Sequence, residues 1–335
     1  MHRAMELARL GFGNVSPNPM VGCIIVHNDK IIGEGFHQQY GSHHAEVNAI
    51  NSVVDKKLLA QSEVYVTLEP CSHFGKTPPC ADLLMSYKVK KVYVSNLDPN
   101  PLVAGKGIEK LRQAGIEVET EILKTDGNAL NKRYFTMVEK KRPYIILKWA
   151  ETADGFIARN NFDSKWISND ISRKLVHKWR SEEDAILVGK NTALYDNPTL
   201  NVRDWEGQNP ARVVLDHNVQ LDRKLTLFDQ QIPTICYNSK INKESENLSF
   251  VKLEGEKFIH DLLIDLHQRN IQSIMIEGGA TTLNTFIKDG LWDEARVFQS
   301  TTCFGDGIQA PQLLHAEFDS KDEIMGDTLI YFRHV

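Results

Sequence analysis

Short apolar runs alternate with amphipathic stretches along the whole chain. Over residues 2–10, Ala4, Met5, Leu7, Ala8 and Leu10 recur among polar positions as in a short helix, which Gly11 and Gly13 close. The polar loop Ser16-Pro17-Asn18-Pro19 leads into residues 21–26, an apolar run that reads as a buried strand. Asn28-Asp29 turns the chain into a second strand over 31–35, a β-hairpin. Residues 45–54 read as a helix with Glu46 in its first turn, and 64–68 as a strand running into Glu69-Pro70-Cys71. A helix over 81–87, a strand over 91–95 and a helix over 108–114 follow. This alternation predicts a layered α/β sheet.

A helix near 126–139 leads to the polar run Glu139-Lys140-Lys141-Arg142-Pro143, read as a solvated helix end and linker. The boundary is placed there, giving domains 1–143 and 144–335. The second half repeats the alternation, with strands at 144–149, 185–189, 212–216, 234–237 and 273–277, and helices near 169–180, 257–269 and 280–289. Late strands fall near 294–299 and 327–333.

Length agrees with this division, since 335 residues exceed what one hydrophobic core normally organises. A net charge of −5 argues against a broad nucleic-acid surface, although a local basic pocket can still take a phosphate. No segment approaches the roughly 18 apolar residues of a membrane span. The N-terminus, Met1-His2-Arg3-Ala4-Met5-Glu6, lacks the apolar core of a signal peptide. Five scattered cysteines do not form a secreted disulfide framework, so reduced thiols in a cytoplasm are expected.

Chemistry concentrates between residues 44 and 80. His44-Ala45-Glu46 is followed by Pro70-Cys71 and by Pro79-Cys80. Two thiolates and an imidazole suit zinc, and three protein ligands leave the fourth tetrahedral position open for water. Zinc deaminases carry H-x-E followed by P-C-x-x-C, whereas here eight residues separate the cysteines. Glu46, two places after the histidine at a helix start, can enter the same cavity without ligating. Each cysteine follows a proline and precedes an expected helix, whose N-terminus favours thiolate. A lone His-x-Glu is common and a free cysteine is usually a small buried hydrophobe; the ordered set points to zinc. A purely structural site would need a fourth ligand, for which His43 and His73 are nearest.

These residues carry a family resemblance. Gly41-x-x-His44-Ala45-Glu46-Val47, Thr67-Leu68-Glu69-Pro70-Cys71-Ser72-His73, Gly75-Lys76-Thr77-Pro78-Pro79-Cys80 and Asp98-Pro99-Asn100-Pro101 resemble the bacterial bifunctional riboflavin-biosynthesis deaminase/reductases, the RibD family. The wide cysteine spacing is that family's own form of the motif. The resemblance implies zinc on His44, Cys71 and Cys80, proton transfer by Glu46, and Asn18, His73 and Lys76 around the deaminase substrate. The family usually has several residues before the first helix, which Met1 opens here, so the helix is expected to be clipped or the start assigned late.

The second half alone says less. Asp196-Asn197-Pro198 signals a turn, and Glu277-Gly278-Gly279 ends a strand before a helix without forming G-x-G-x-x-G. Leu147-Lys148, Asp154-Gly155, Ser164-Lys165-Trp166, Ile186-Leu187-Val188-Gly189 and Glu277-Gly278-Gly279 resemble the family's reductase domain. The resemblance implies a cytidine-deaminase-like three-layer αβα domain, then a dihydrofolate-reductase-like α/β domain that uses NADPH. It places the cofactor on Ala150, Trp166, Thr192, Asp196 and the run Gly279, Ala280, Thr281, Thr282, Leu283, Asn284 and Thr285. It places the phosphorylated substrate on Ser164, Arg180, Leu200, Arg203 and Glu277, with Lys148 near the ribose. Two departures stand out: Thr152-Ala153-Asp154-Gly155 replaces a Ser-Leu-Asp-Gly run, and Thr301-Thr302-Cys303 replaces an Ala-Pro-Lys.

The expectation is a bifunctional enzyme that deaminates a phosphoribosylaminopyrimidine and reduces its ribosyl group, with a small phosphorylated pyrimidine as partner. Neither nucleic acid nor membrane is expected, and the resemblance implies a homo-oligomer. The rivals are a nucleic-acid-editing zinc deaminase with an accessory domain, and a non-enzymatic zinc-stabilised binding module.

Overall fold

The longest apolar runs become interior strands and the amphipathic stretches become helices laid on them. A computed structural model of the chain describes every residue except 74–77, 102 and 256. It divides into two compact units, Met1–Lys141 and Arg142–Val335.

The first unit runs α1 (His2–Arg9), β1 (Gly22–His27), β2 (Lys30–Phe36), α2 (Ala45–Ser52), β3 (Glu63–Leu68), α3 (Cys80–Ser86), β4 (Lys91–Asn96), α4 (Lys106–Gln113), β5 (Glu117–Glu119), α5 (Lys124–Leu130) and α6 (Lys132–Lys140). Five strands pair in the order β2-β1-β3-β4-β5. β1 is antiparallel to β2 and β3, whereas β3, β4 and β5 are parallel. Side-chain alternation sorts the two faces. Cys23, Ile25, Val64, Val66, Val92 and Val94 meet Ala49, Ile50, Leu84 and Leu111 of α2, α3 and α4. On the other face Ile24 packs with Ala4 and Leu7 of α1, and Met5 and Ala8 pack with Leu130. The result is an αβα sandwich. Gly35 lets α2 approach closely, since a Cβ there would lie 2.2 Å from the Ala49 nitrogen.

The expected helix near 126–139 is two helices, broken at Asn131. The buried Asn131 side chain accepts from Met20 N at 2.8 Å and donates to Met20 O at 2.9 Å, copying a strand partner. Satisfying that distant backbone takes precedence over helix continuity.

The second unit runs β6 (Tyr144–Glu151), β7 (Phe156–Ala158), α7 (Asp170–Glu182), β8 (Ala185–Gly189), α8 (Lys190–Asp196), β9 (Ala211–Leu215), β10 (Thr234–Asn238), β11 (Lys243–Ser245), β12 (Leu248–Lys252), α9 (Phe258–Gln268), β13 (Ser273–Glu277), α10 (Ala280–Lys288), β14 (Glu294–Gln299), β15 (Ile308–Gln309), β16 (Ala316–Ile324) and β17 (Asp327–His334). Ten strands pair as β11-β12-β10-β9-β8-β13-β6-β14-β17-β16. From β12 to β14 all neighbours are parallel, and antiparallel strands close both edges. β8 and the centre of β13, Ile274 to Ile276, are apolar because both of their faces are covered. Ile145 and Leu147 enter the core beneath α9 and α10, and Tyr144 and Ile146 the core beneath α7.

The short strands β5, β7, β11, β12 and β15 are also absent from the sequence reading, and two longer elements depart from it. β16 is exposed along nearly its whole length, so pairing with β17 rather than burial holds it, and its polar residues give no strand pattern. α8 fills the stretch before the expected Asp196-Asn197-Pro198 turn, and left-handed Asn197 ends it.

Candidate functional sites

In the first unit the end of β3 and the starts of α2 and α3 bring His44, Cys71 and Cys80 together. His44 is the N-cap of α2 and Cys80 the first residue of α3. His44 Nδ1 lies 3.6 Å from Cys71 Sγ and 3.3 Å from Cys80 Sγ. All three ligand atoms fall within 4.8 Å of one another, the one such group among the described residues. Tetrahedral zinc, with bonds of about 2.0 Å to nitrogen and 2.3 Å to sulfur, sets ligand atoms roughly 3.5 Å apart. The donor set and its spacing therefore fit zinc, with three protein ligands and one open position.

Electrostatics agree with the geometry. Cys71 is held as thiolate, its pKa lowered to about 4 by hydrogen bonds from Cys80 and His44. The same pairing, together with burial, raises Cys80. Glu46, buried beside them, is raised to about 7 by loss of solvent and by the Cys71 charge, which His44 opposes. Burial thus works against the ionised form of this carboxyl.

Asn18 Nδ2 lies 3.0 Å from His37 Nε2, and His37 Nδ1 lies 3.0 Å from the His43 carbonyl. The His37 ring meets the His44 ring edge-on, with centroids 5.6 Å apart. His37 has no motif around it to signal this place. His73 is exposed two residues beyond Cys71, and Lys76 lies outside the described residues. Glu69 stands in the sequence motif, but its partners could not be read there. Its buried carboxylate accepts from Gly105 N, Gly107 N and Ile108 N, pinning the start of α4 beside Pro70-Cys71.

In the second unit a cavity of about 730 Å³ opens at the C-terminal ends of β6, β8 and β13, the place where open α/β sheets bind ligands. Lys148, Ala150, Ser164, Trp166, Arg180, Thr192, Asp196, Leu200, Arg203, Glu277, Gly279, Ala280, Thr281 and Thr282 all line it. The run 279–285 divides, however. Leu283 is fully buried in the core with Phe286, and Asn284 and Thr285 lie outside the cavity lining. The helical period turns only the first three residues of α10 toward the cavity.

Register sets Lys148 opposite Glu277 on neighbouring strands, with Nζ 4.0 Å from the carboxylate. Arg180 closes a two-pronged ion pair on Glu277, at 2.7 and 2.8 Å. Burial pushes the Glu277 carboxyl up, but Arg180 and Lys148 outweigh it and hold it down at about 2. Burial also lowers Lys148, with Glu277 opposing and Arg180 adding. Gly278 and Gly279, at φ 99° and 74°, turn the chain into α10 and leave space beside Thr192. Free N–H groups at that helix start suit a dinucleotide's phosphates. Across the cavity Phe162 stacks on Tyr195 at 4.4 Å and exposed Trp166 lies over Arg173, surfaces suited to flat rings. The donors, glycine turn and aromatic walls fit NADPH.

The two departures from the family pattern meet in space. Thr152 Oγ1 donates to Asp154, whose carboxylate accepts from Phe304 N and Gly305 N, and Ala153 N donates to Thr302 O. Both replaced runs therefore belong to one hydrogen-bonded turn.

Residues 143–322 match the RibD C-terminal domain, and residues 1–96 match the cytidine and deoxycytidylate deaminase zinc-binding region. The riboflavin biosynthesis protein RibD of Aquifex aeolicus is 38% identical over 346 residues, covering 99% of this chain and 96% of its own. That of Bacillus amyloliquefaciens is 39% identical over 335 residues, covering 97% and 90%. Among solved structures, the diaminohydroxyphosphoribosylaminopyrimidine deaminase/5-amino-6-(5-phosphoribosylamino)uracil reductase of Thermotoga maritima superposes with a TM-score of 0.91 at 36% identity, covering 100% of this chain and 97% of its own. Acinetobacter baumannii RibD gives 0.89 at 34% identity, with 99% and 97% covered.

Proposed function

The chain belongs to the RibD family, and from that premise we propose how its residues carry out two consecutive steps of riboflavin biosynthesis. The first is hydrolytic deamination of diaminohydroxyphosphoribosylaminopyrimidine phosphate. The second is NADPH-dependent reduction of the ribosyl group, giving 5-amino-6-(5-phosphoribitylamino)uracil. The observation that carries this reading is the convergence of His44, Cys71 and Cys80 beside a buried Glu46, in a chain whose other unit holds the glycine-lined cavity.

In the deaminase unit His44 Nδ1, Cys71 Sγ and Cys80 Sγ would hold zinc, which would supply the Lewis acid that makes water nucleophilic at neutral pH. Glu46 takes one proton from the attacking water and gives it to the ring nitrogen; it then takes the second, from the hydroxyl left on the ring carbon, and gives it to the amine, which leaves as ammonia as the carbonyl forms. Burial favours this role, because loss of solvent raises the Glu46 carboxyl and so makes its protonated form accessible. Asn18 and His73 orient the pyrimidine, and Lys76 meets its phosphate.

In the reductase unit Thr192, Asp196 and the first residues of α10 would hold NADPH, which would supply hydride for the sugar carbon that was anomeric. Lys148, set between Glu277 and the cavity, donates toward the ribose oxygen as the ring opens. Glu277 accepts from sugar hydroxyls while Arg180 fixes its carboxylate plane. Arg203, whose forked donors match a phosphate, holds the substrate's charged end.

The wider assembly is a homo-oligomer acting on a small pyrimidine in a reducing cytoplasm, without nucleic acid or membrane as partner. The net charge of −5 and the free cysteines support this setting, and among the described residues no helix is long and apolar enough to cross a membrane. Sedimentation of the purified chain tests the oligomer.

Metal removal tests the chemistry. Purified protein is expected to hold one zinc per chain and to deaminate the pyrimidine substrate. Chelation should abolish that step yet leave NADPH oxidation on the already deaminated phosphoribosylamino compound. Deamination that survives complete zinc removal would refute the reading.

A further inference from the structure

Helix α7 carries His177 and Arg180 one turn apart, both bordering the reductase cavity. His177 is 2% exposed, and the chemistry above gives it no role. Its Nδ1 lies 2.9 Å from the backbone carbonyl of Asn201, and Arg180 Nη1 donates to the same oxygen at 3.2 Å. A carbonyl only accepts, so Nδ1 carries the proton. Both lone pairs of one backbone oxygen are thus taken by neighbouring side chains of a single helix.

The carbonyl belongs to the segment that bears Arg203. Arg203 is half exposed, and its guanidinium reaches only its own stretch of chain in the contacts observed. These are Asn201 Oδ1 at 3.4 Å and an Asp204 carboxylate oxygen at 3.6 Å. The same Asp204 oxygen lies 3.3 Å from His177 Nε2. Where Arg203 points therefore depends on how the segment is anchored. Leu200 sits in the core and Val202 N donates to Asn209 Oδ1 at 2.7 Å, while the polar tie to α7 runs through Asn201 O. Arg180 has its Nε and Nη2 committed to Glu277. The second tie is His177.

We propose that His177 is a positioning residue of the reductase reaction, fixing residues 200–204 against α7 so that Arg203 faces the substrate's phosphate. The inference rests on the reading of Arg203 as the phosphate ligand. It extends that reading by linking the phosphate end of the cavity to the sugar end. One helix turn holds Asn201 through His177 and Arg180, and holds Glu277 through Arg180.

The test uses the full-length zinc-loaded enzyme and the deaminated substrate, with steady-state NADPH oxidation and NADPH titration as readouts. Arg203→Ala should raise KM for the phosphorylated substrate about ten- to hundred-fold, the loss expected for hydrogen bonds to a charged group. His177→Leu should raise the same KM about ten-fold while leaving kcat and NADPH affinity near wild type. In the Arg203→Ala background it should add little, because the residue it positions is already gone. His177→Asn keeps an amide donor close to the Nδ1 position and should restore most of the affinity. His177→Gln, with its amide displaced toward Asp204, should not. This pair preserves the argument where His177→Leu fails to fold. If Arg203→Ala leaves KM unchanged, the phosphate reading fails and the inference with it. A large effect of Arg203→Ala with none from His177→Gln or His177→Leu, or with fully additive effects, overturns the positioning role alone.

Discussion

Arg180 and Glu277 lie 97 residues apart in sequence, yet they form a two-pronged ion pair at the cavity wall, with nitrogen–oxygen distances of 2.7 and 2.8 Å. The family resemblance assigns both to the substrate. The pairing makes their roles unequal. Glu277 keeps lone pairs for sugar hydroxyls, whereas Arg180 spends two of its nitrogens on Glu277 and a third contact on Asn201 O. Lys148 adds a second positive charge 4.0 Å away, so one buried carboxylate balances two cations.

That balance makes the second unit's stability depend on pH in acid. Glu277 titrates at about 2 in the folded chain, below its ordinary value of 4.5. Its contribution is therefore fully present above about pH 4.5 and is lost as pH falls toward 2. The shift corresponds to roughly 3 kcal/mol. All five tryptophans, Trp149, Trp166, Trp179, Trp205 and Trp292, lie in the second unit, so their fluorescence reports its unfolding alone. The stability difference between wild type and Glu277→Gln, from urea melts, should be large at pH 6 and shrink steadily below pH 4.5. A difference that does not change with pH would contradict the ion-pair assignment.

The zinc triangle was legible in the sequence because each ligand sits in a short motif at a strand or helix end. His37 was not, since nothing near it in sequence marks a histidine whose partners are Asn18 and the His43 carbonyl. The break at Asn131 was invisible for a similar reason: its partner, Met20, is 111 residues away. β16 escaped because its polar residues are held by the ladder to β17 and not by burial. The parallel core strands of the second unit were readable as apolar runs, while the pairing of Arg180 with Glu277 exists only once α7 and β13 are packed. Local motifs and burial patterns can be read along a chain, but partnerships between distant polar groups cannot.

Glu46 and Cys80 separate proton transfer from metal binding. Glu46→Ala should keep zinc and lose deamination by about 10²–10⁴-fold, the usual size of a general acid–base contribution. Cys80→Ser should release the metal and lose deamination with it. Zinc content by atomic absorption and ammonia release distinguish the two variants. Near-normal deamination by Glu46→Ala would remove its assigned role, and full zinc retention by Cys80→Ser would require another ligand.

Gly107 offers a way to disturb the zinc site without touching a ligand. A Cβ there would lie 2.0 Å from the Pro70 carbonyl oxygen and 3.3 Å from Glu69 Oε1. Both neighbours are constrained: Pro70 is backbone next to the Cys71 ligand, and Glu69 Oε1 accepts from Gly107 N at 2.9 Å. Gly107→Ala must therefore push α4 away or move Pro70-Cys71, and the second outcome spoils ligand spacing. Changes just outside a metal's ligands typically cost ten- to a hundred-fold in metal affinity, roughly the loss expected here. Competition with a zinc chelator measures it. Gly105→Ala does not serve as the steric control, because Gly105 has φ 79° and would strain the backbone although its Cβ meets nothing within 4 Å. Glu109→Ala, on the exposed face of the same helix with Gln113 as its side-chain partner, is the better control and should hold zinc as tightly as wild type. Unchanged zinc affinity in folded Gly107→Ala would show that α4 yields instead and that the contact does not set the position of Cys71.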